Sequence, residues 1–427
     1  MKYLPIKNKL FIENRKLLRD KMESNSMAIF NANDIMPTNS DGTMPFIQNS
    51  DLFWLSGVNQ EESVLIVLSS KNEMEALLFL KETNEHIAIW EGGKLTKEAA
   101  YKTSGIKDIF WLKDFDDKLD KLINKFGTIY LNKNIHSRAA SNVETRDDRF
   151  RSVIKHKNLK NTLKEIAPIM HKLRAIKTEE EINLIQNACN ITEKGFRRIL
   201  PFIKPGIMEY QIEAELIHEF INNRSSRFAY QPIIGSGKNS CVLHYIENNK
   251  PCKDGDILLM DFGAEYANYA SDLTRTIPVN GRFSKRQKDV YKSVLHVMKE
   301  ATKMLQPGVY LKDYEIEVGK IMQHELIKLG LIDKHDVKNQ NPEKPIYKKY
   351  YMHGTSHFLG LDVHDVGDFN KPISEGMVFT CEPGIYILEE ELGIRLENDI
   401  LITNNGPKDL MEKIPIEIDE IEMLMNS

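Results

Sequence analysis

Short apolar runs separated by amphipathic stretches fill the first third of the chain. Ser63 to Ser69 (SVLIVLS), Glu75 to Leu80 (EALLFL) and Gly127 to Leu131 (GTIYL) have the length and composition of buried strands. Lys94 to Ala100 carries a helix start, with Thr96 as its cap. A boundary follows at Pro168 to Glu181, where a proline and a basic stretch (HKLRAIK) precede Thr178, and Thr178 with Glu181 has capping-box spacing. Ile182, Ile185, Ala188 and Cys189 then recur at helical spacing. Pro201 to Gly206 breaks that helix, and Glu209 to Asn222 predicts another. The chain next becomes strand-rich and glycine-punctuated, and Pro307-Gly308 with Leu311 to Leu329 repeats the turn-then-helix pattern. These patterns predict an α/β (α+β) protein of two domains, residues 1–170 and 171–427, the second built from two helix-plus-strand halves.

Composition changes this picture little. The 427 residues carry 41% hydrophobic and 28% charged side chains, enough for two separate cores. A net charge of -4 gives no reason to expect nucleic acid or an acidic membrane as partner. No uninterrupted apolar core of signal-peptide length lies in Met1 to Lys16, and no long apolar span appears later. Cys189, Cys241, Cys252 and Cys381 lack CxxC spacing, which argues against a disulfide framework or a structural zinc site. A reduced cytoplasmic compartment is the simplest expectation.

Candidate chemistry lies in the second domain. Gly255 to Val279 reads as two strands, and a turn centred on Tyr266-Ala267 sets Asp261 directly opposite Asp272. Like charges so placed repel, and a cation between them converts the repulsion into binding. Tyr-Ala is a poor hairpin turn, so spacing alone leaves open whether the two aspartates meet. Further on, KYYMHGTSHFLGLDVHDVG holds His353, His357 and His364 beside Asp362 and Asp365. Gly354 and Gly360 argue against a continuous helix there, so this is a cluster without a defined geometry. Met377 to Ile387 and Gly393 to Ile402 are both strand-like, and a turn centred on Glu389-Glu390 puts Glu382 opposite Glu397. Arg395, Glu397 and Asp399 then share a face. Four carboxylates with one imidazole suit two hard or borderline divalent ions, and their charges balance, leaving a bridging hydroxide as the extra anion.

These segments resemble the pita-bread metallopeptidases, a family that includes methionine aminopeptidase, prolidase and aminopeptidase P. The motifs are MDFGAEYANYASDLTRT, HGTSHFLGLDVHDVG, EPGIYI and GIRLENDI. The resemblance implies that Asp261 holds one metal, that His357 and Glu382 hold the other, and that Asp272 and Glu397 bridge them. It implies Glu382 as proton shuttle, His244 near the scissile bond, His353 and His364 as outer histidines toward substrate, and Arg395 orienting the carboxylates. Manganese is the expected metal, with cobalt or zinc as alternatives.

The N-terminal segments SNSMAIF and PFIQNSDLFWLSG, with the ending IPIEIDEIEMLM, are similar to aminopeptidase P in particular. Ile47 departs from the arginine often found at that place. A mixed-sheet N-terminal domain, a pita-bread catalytic domain and peptide substrates with proline in second position are implied. So are a homodimer or homotetramer, and no nucleic acid or membrane as partner. Trp90 is a candidate rim residue for a neighbouring subunit, against a core or surface tryptophan. Cys241 and Cys381 read as packing residues. The rivals are a prolidase restricted to dipeptides and a metal-free binding relative, which the intact ligand set disfavours.

Overall fold

The computed structural model describes residues 2–70, 75–136, 138–139, 141–157 and 159–427. They form two compact units, one of residues 4–174 and one of residues 175–427 with residues 2 and 3. Lys71 to Met74, beside the predicted strand at Glu75, lie outside the described residues, as do Met1, Ser137, Ala140 and Asn158.

The N-terminal unit is a six-stranded mixed sheet. Its strands are β1 (Ser26–Asn31), β2 (Val64–Ser69), β3 (Ala76–Leu80), β4 (Asp108–Trp111), β5 (Thr128–Leu131) and β6 (Thr162–Glu165), in the order β4-β3-β2-β1-β5-β6. β1 runs antiparallel to β2, and β2 to β3, whereas β3–β4, β1–β5 and β5–β6 are parallel. The apolar runs are the central strands, buried along nearly their whole length, as a sheet covered on both faces requires. Helices α1 (Lys9–Lys21), α2 (Ser50–Ser56), α3 (Glu85–Glu91), α4 (Lys97–Ser104), α5 (Phe115–Ile123) and α6 (Arg146–His156) belong to this unit. In PFIQNSDLFWLSG, Asn49 caps α2 by accepting from the backbone of Asp51 and Leu52, and Gly57 ends it in the left-handed conformation. Thr96 caps α4 as expected. Trp90 is 77% exposed on α3, which removes the core reading of that residue.

Helix α7 (Ala167–Ala175) begins with Pro168 in its first turn, where a missing N–H costs nothing. In the C-terminal unit the two predicted halves are present. The first has α8 (Glu179–Ile199), opened by the Thr178–Glu181 capping box, and α9 (Glu209–Asn222). Its sheet joins β7 (Ile233–Ser236), β8 (Ile257–Phe262) and β11 (Leu273–Pro278), with the hairpin tip β9 (Glu265–Tyr266) and β10 (Tyr269–Ala270) beyond. The second half has α10 (Lys285–Met304), α11 (Leu311–Lys328) and α12 (Lys334–Asn339). Its strands are β12 (Val378–Cys381), β13 (Gly384–Ile387), β14 (Leu392–Arg395), β15 (Asn398–Thr403) and β16 (Gly406–Asp409), before the closing helix α13 (Ile418–Met425). Among the described residues no helix is long and apolar enough to cross a membrane.

Candidate metal centre

Asp261 lies near the end of β8 and Asp272 just before β11. The ladder pairs Asp261 with Thr274 and Phe262 with Leu273, and the tip pairs Tyr266 with Tyr269. The turn is therefore Ala267-Asn268, with φ of 54° and 66°, and the expectation of a turn at Tyr266-Ala267 is corrected. Positive φ at both central residues matches the twist of the strands, and that outweighs the steric cost at alanine. Moving the turn by one residue moves each partner by two, so Asp272 is diagonal to Asp261 rather than opposite it. Because side chains alternate with period two, the two still share a face. Gly263 permits this closure, since a Cβ there would sit 1.8 Å from the Ser271 carbonyl oxygen.

The glutamate ladder has the predicted register. Thr380 pairs with Asp399 and Cys381 with Asn398 on one side, and Gly384 with Arg395 on the other, which sets Glu382 against Glu397. His357 lies on a segment without helix or strand, as its flanking glycines implied, tied by an isolated bridge from Phe358 to Phe379. Its Nδ1 is 3.0 Å from the Phe358 carbonyl oxygen, to which it donates. Nε2 then faces Asp272 Oδ2 at 3.4 Å and Glu382 Oε1 at 3.5 Å. Ligand atoms of Asp272, His357 and Glu397 all lie within 4.8 Å of one another.

Other groups orient these acids. The Tyr230 hydroxyl is 2.5 Å from both Asp261 Oδ1 and Asp272 Oδ1. One hydroxyl proton cannot serve both oxygens at once, so Tyr230 donates to one aspartate at a time. Buried Arg395 donates to Asp261 Oδ2 at 2.6 Å, to the Tyr386 hydroxyl at 2.8 Å and to Thr274 Oγ1 at 3.1 Å. Thr274 in turn donates to Glu397 Oε2 at 2.6 Å. His353 has protein partners on both nitrogens: the Gly354 carbonyl at Nδ1 and the Tyr386 hydroxyl at Nε2, each at 2.8 Å. His364 stacks edge-to-face on His357, centroids 4.3 Å apart. His244 is exposed on the turn after residues 237–241, near enough for its charge to act on His353. Cys381 is buried among Thr302, Tyr314 and Met298, in keeping with a packing role, and Cys241 is half-buried.

The electrostatics follow from burying so many acids beside one arginine. Burial, then the neighbouring Asp261 charge, pushes Asp272 well above the usual carboxylate range. Glu397 goes the same way, through burial and then Asp272 and Glu382. Glu382 is pushed up to about 7, mainly by burial, with the His357 and Arg395 charges opposing. Burial and then Arg395 press His353 down to about 3, so its imidazole is neutral. Oxygen donors around the Nε2 of one imidazole fit hard or borderline divalent cations, which would compete with protons for these carboxylates.

Sequence reasoning did not single out Tyr230, Thr274 or Tyr386. Tyr230 lies in SSRFAYQP, which has no periodic or motif signal, and Thr274 is found only once the Asp261 register is known.

A centre of this kind between two strand ladders defines a metallopeptidase site of the pita-bread fold, and the comparisons agree. The model of metallopeptidase family M24 matches residues 183–404, and that of the aminopeptidase P N-terminal domain matches residues 11–130. The chain belongs to metallopeptidase family M24, in the branch that carries the aminopeptidase P N-terminal domain. It is 35% identical to the Xaa-Pro aminopeptidase of Haemophilus influenzae, over 97% of both chains. The Pseudomonas aeruginosa aminopeptidase PepP superposes with a TM-score of 0.90 at 31% identity, covering 99% of this chain and 98% of that one. A zinc-substituted Escherichia coli aminopeptidase P in complex with product gives 0.89 at 32%, covering 99% of each.

Proposed function

We propose that this protein is a dinuclear metalloaminopeptidase that hydrolyses the bond between an N-terminal residue and a following proline. The observation that carries this reading is the buried Asp272–His357–Glu397 cluster, in a chain similar over 97% of its length to a Xaa-Pro aminopeptidase. Asp261, Asp272, His357, Glu382 and Glu397 would hold two divalent cations, manganese first, with cobalt or zinc as alternatives. Bound cations supply an activated water and charge to stabilise the developing oxyanion. Glu382, 3.5 Å from His357 and with its proton affinity tuned near neutrality, takes the proton of the attacking water and delivers it to the departing proline nitrogen. That nitrogen has no proton of its own to leave with until Glu382 provides one.

His364 and His244 are proposed to face the substrate carbonyl. His353 is proposed to act at the same side, its neutral ring aligned by Tyr386 and the Gly354 carbonyl. Arg395 holds Asp261 in place, and its single charge matches the hydroxide left over when four carboxylates meet two dications. We further propose a cytoplasmic homodimer or homotetramer, with exposed Trp90 directed at a neighbouring copy.

The test is hydrolysis of Xaa-Pro-Xaa tripeptides against Xaa-Pro dipeptides, with manganese and with a chelator. Manganese-dependent release of the first residue from the tripeptide is expected. Cleavage confined to dipeptides would make the protein a prolidase, and no cleavage with any metal would overturn the reading.

A further inference from the structure

Between β7 and β8 the chain runs for twenty residues, from Gly237 to Asp256, with one short 3-10 turn and no other regular structure. This stretch carries His244, exposed and flanked by the exposed apolar residues Val242 and Ile246. A long irregular segment of this kind needs an internal template if one side chain is to be presented in a fixed place.

Glu209, the first residue of α9, is fully buried. Among the described residues its carboxylate has no basic partner within salt-bridge distance; it accepts instead from four neutral donors. Oε1 takes the Ser236 backbone N–H at 2.9 Å and Asn239 Nδ2 at 3.3 Å, and Oε2 takes the Tyr245 hydroxyl at 2.8 Å and the Lys250 backbone N–H at 2.9 Å. All four donors belong to the segment or to the residue just before it. One of them adjoins His244. The Glu209 backbone N–H also donates to the Lys250 carbonyl at 3.0 Å, closing the far end of the loop against the start of α9. Burying a lone carboxylate costs free energy unless every lone pair is used, and here the four donors use them. A core-packing role alone would be met by an apolar side chain.

We infer that Glu209 is a positioning residue that moulds the loop from Ser236 to Lys250 and thereby fixes His244 at the substrate. This inference rests on the substrate-facing role proposed above for His244. The burial-driven rise of the Tyr245 phenol to about 12 agrees with a hydroxyl that keeps its proton and donates it to Glu209.

The test is a cycle of Glu209→Gln, His244→Ala and the double variant in the manganese-loaded enzyme, read as kcat, KM and manganese affinity on a tripeptide. Glutamine has one acceptor oxygen where the carboxylate has two. In either orientation a backbone N–H, of Ser236 or Lys250, then faces an amide NH2. Glu209→Gln should lower kcat by about 10- to 100-fold, since a small misplacement of a catalytic group has that effect. Manganese affinity should stay unchanged, and so should the loss already caused by His244→Ala when the two are combined. Should Glu209→Gln not fold, Tyr245→Phe removes one donor only and should give a smaller kcat loss, again absent in the His244→Ala background. Full kcat in the folded variants, or losses that multiply fully with that of His244→Ala, would overturn the inference. If His244→Ala alone keeps full activity, the substrate-facing role fails, and the inference falls with it. A slow His244→Ala beside a fully active Glu209→Gln removes the inference alone.

Discussion

The two acidic ladders of the centre are held in different ways. Asp261 and Asp272 are clamped: Tyr230 touches both, Arg395 holds the outer oxygen of Asp261, and the Asp272 N–H donates to Asp399 Oδ2 at 3.0 Å. Glu397 receives the Thr274 hydroxyl. Glu382 is held more lightly. Its carboxylate receives one long contact from Thr380 Oγ1 at 3.4 Å and sits 3.5 Å from His357 Nε2 and 3.8 Å from His353 Nδ1, and its side chain is 20% exposed. A clamped carboxylate is preorganised to hold a cation, whereas a lightly held one, tuned to about 7, can exchange a proton with water. In the proposed mechanism this asymmetry would separate the work of the site: one ladder would mainly bind, and the other would also move protons.

That contrast can be broken at several points. The largest effect is expected from the binding ladder, where chelation or Asp272→Asn should abolish peptide hydrolysis, by about 1,000-fold or more. Metal content measured on the desalted protein should fall in parallel. An active Asp272→Asn variant with empty metal sites would undo the assignment.

Next comes Glu382→Gln, expected to lower kcat by about 100- to 10,000-fold while at least one cation still binds. Isothermal titration with manganese separates the two effects. A variant that loses only metal affinity, with normal kcat at saturating manganese, would deny Glu382 its proton-transfer role.

Tyr230→Phe tests the clamp. Loss of an orienting hydrogen bond typically weakens metal affinity by about 10- to 100-fold, and kcat at saturating metal should change little. Equal affinities in the two proteins would show that the hydroxyl merely substitutes for a cation.

The smallest effect is on stability. Glu382, Asp272 and Glu397 all bind protons more tightly in the folded protein than in the unfolded chain. Their contribution to stability is therefore full below the ordinary carboxylate range near 4.5 and is lost as pH rises through about 7 for Glu382. In chelator, the thermal midpoint should be lower at pH 8 than at pH 5.5, and manganese should cancel or reverse that slope because cations displace the protons. A midpoint that rises with pH in chelator would contradict the burial-driven shifts.

Much of this was legible along the chain. Strands β2, β3 and β5, the α8 capping box and the extent of α9 follow from local periodicity and capping, which act over a few residues. The glutamate ladder was read in its correct register, because apolar runs on both sides of Glu389-Glu390 leave one pairing that buries them. The aspartate hairpin was misplaced by one residue, because the turn with positive φ falls on Ala267-Asn268, which lacks the glycine that usually marks it. Between Leu112 and Pro168 little beyond β5 was legible: α6 has one buried residue and β6 is exposed throughout.

The order and type of the five proposed ligand residues, and the face each ladder presents, were determined by the sequence itself, since alternation along a strand is a local property. Only the tertiary structure decided what meets them. Tyr230 comes from a loop after α9, Arg395 reaches Asp261 from across 134 positions, and Glu209 gathers donors up to 41 residues ahead. Such contacts have no period and no motif. Their partners are chosen by how whole elements pack and by the need of every buried polar group for a partner, which no local stretch of chain can express.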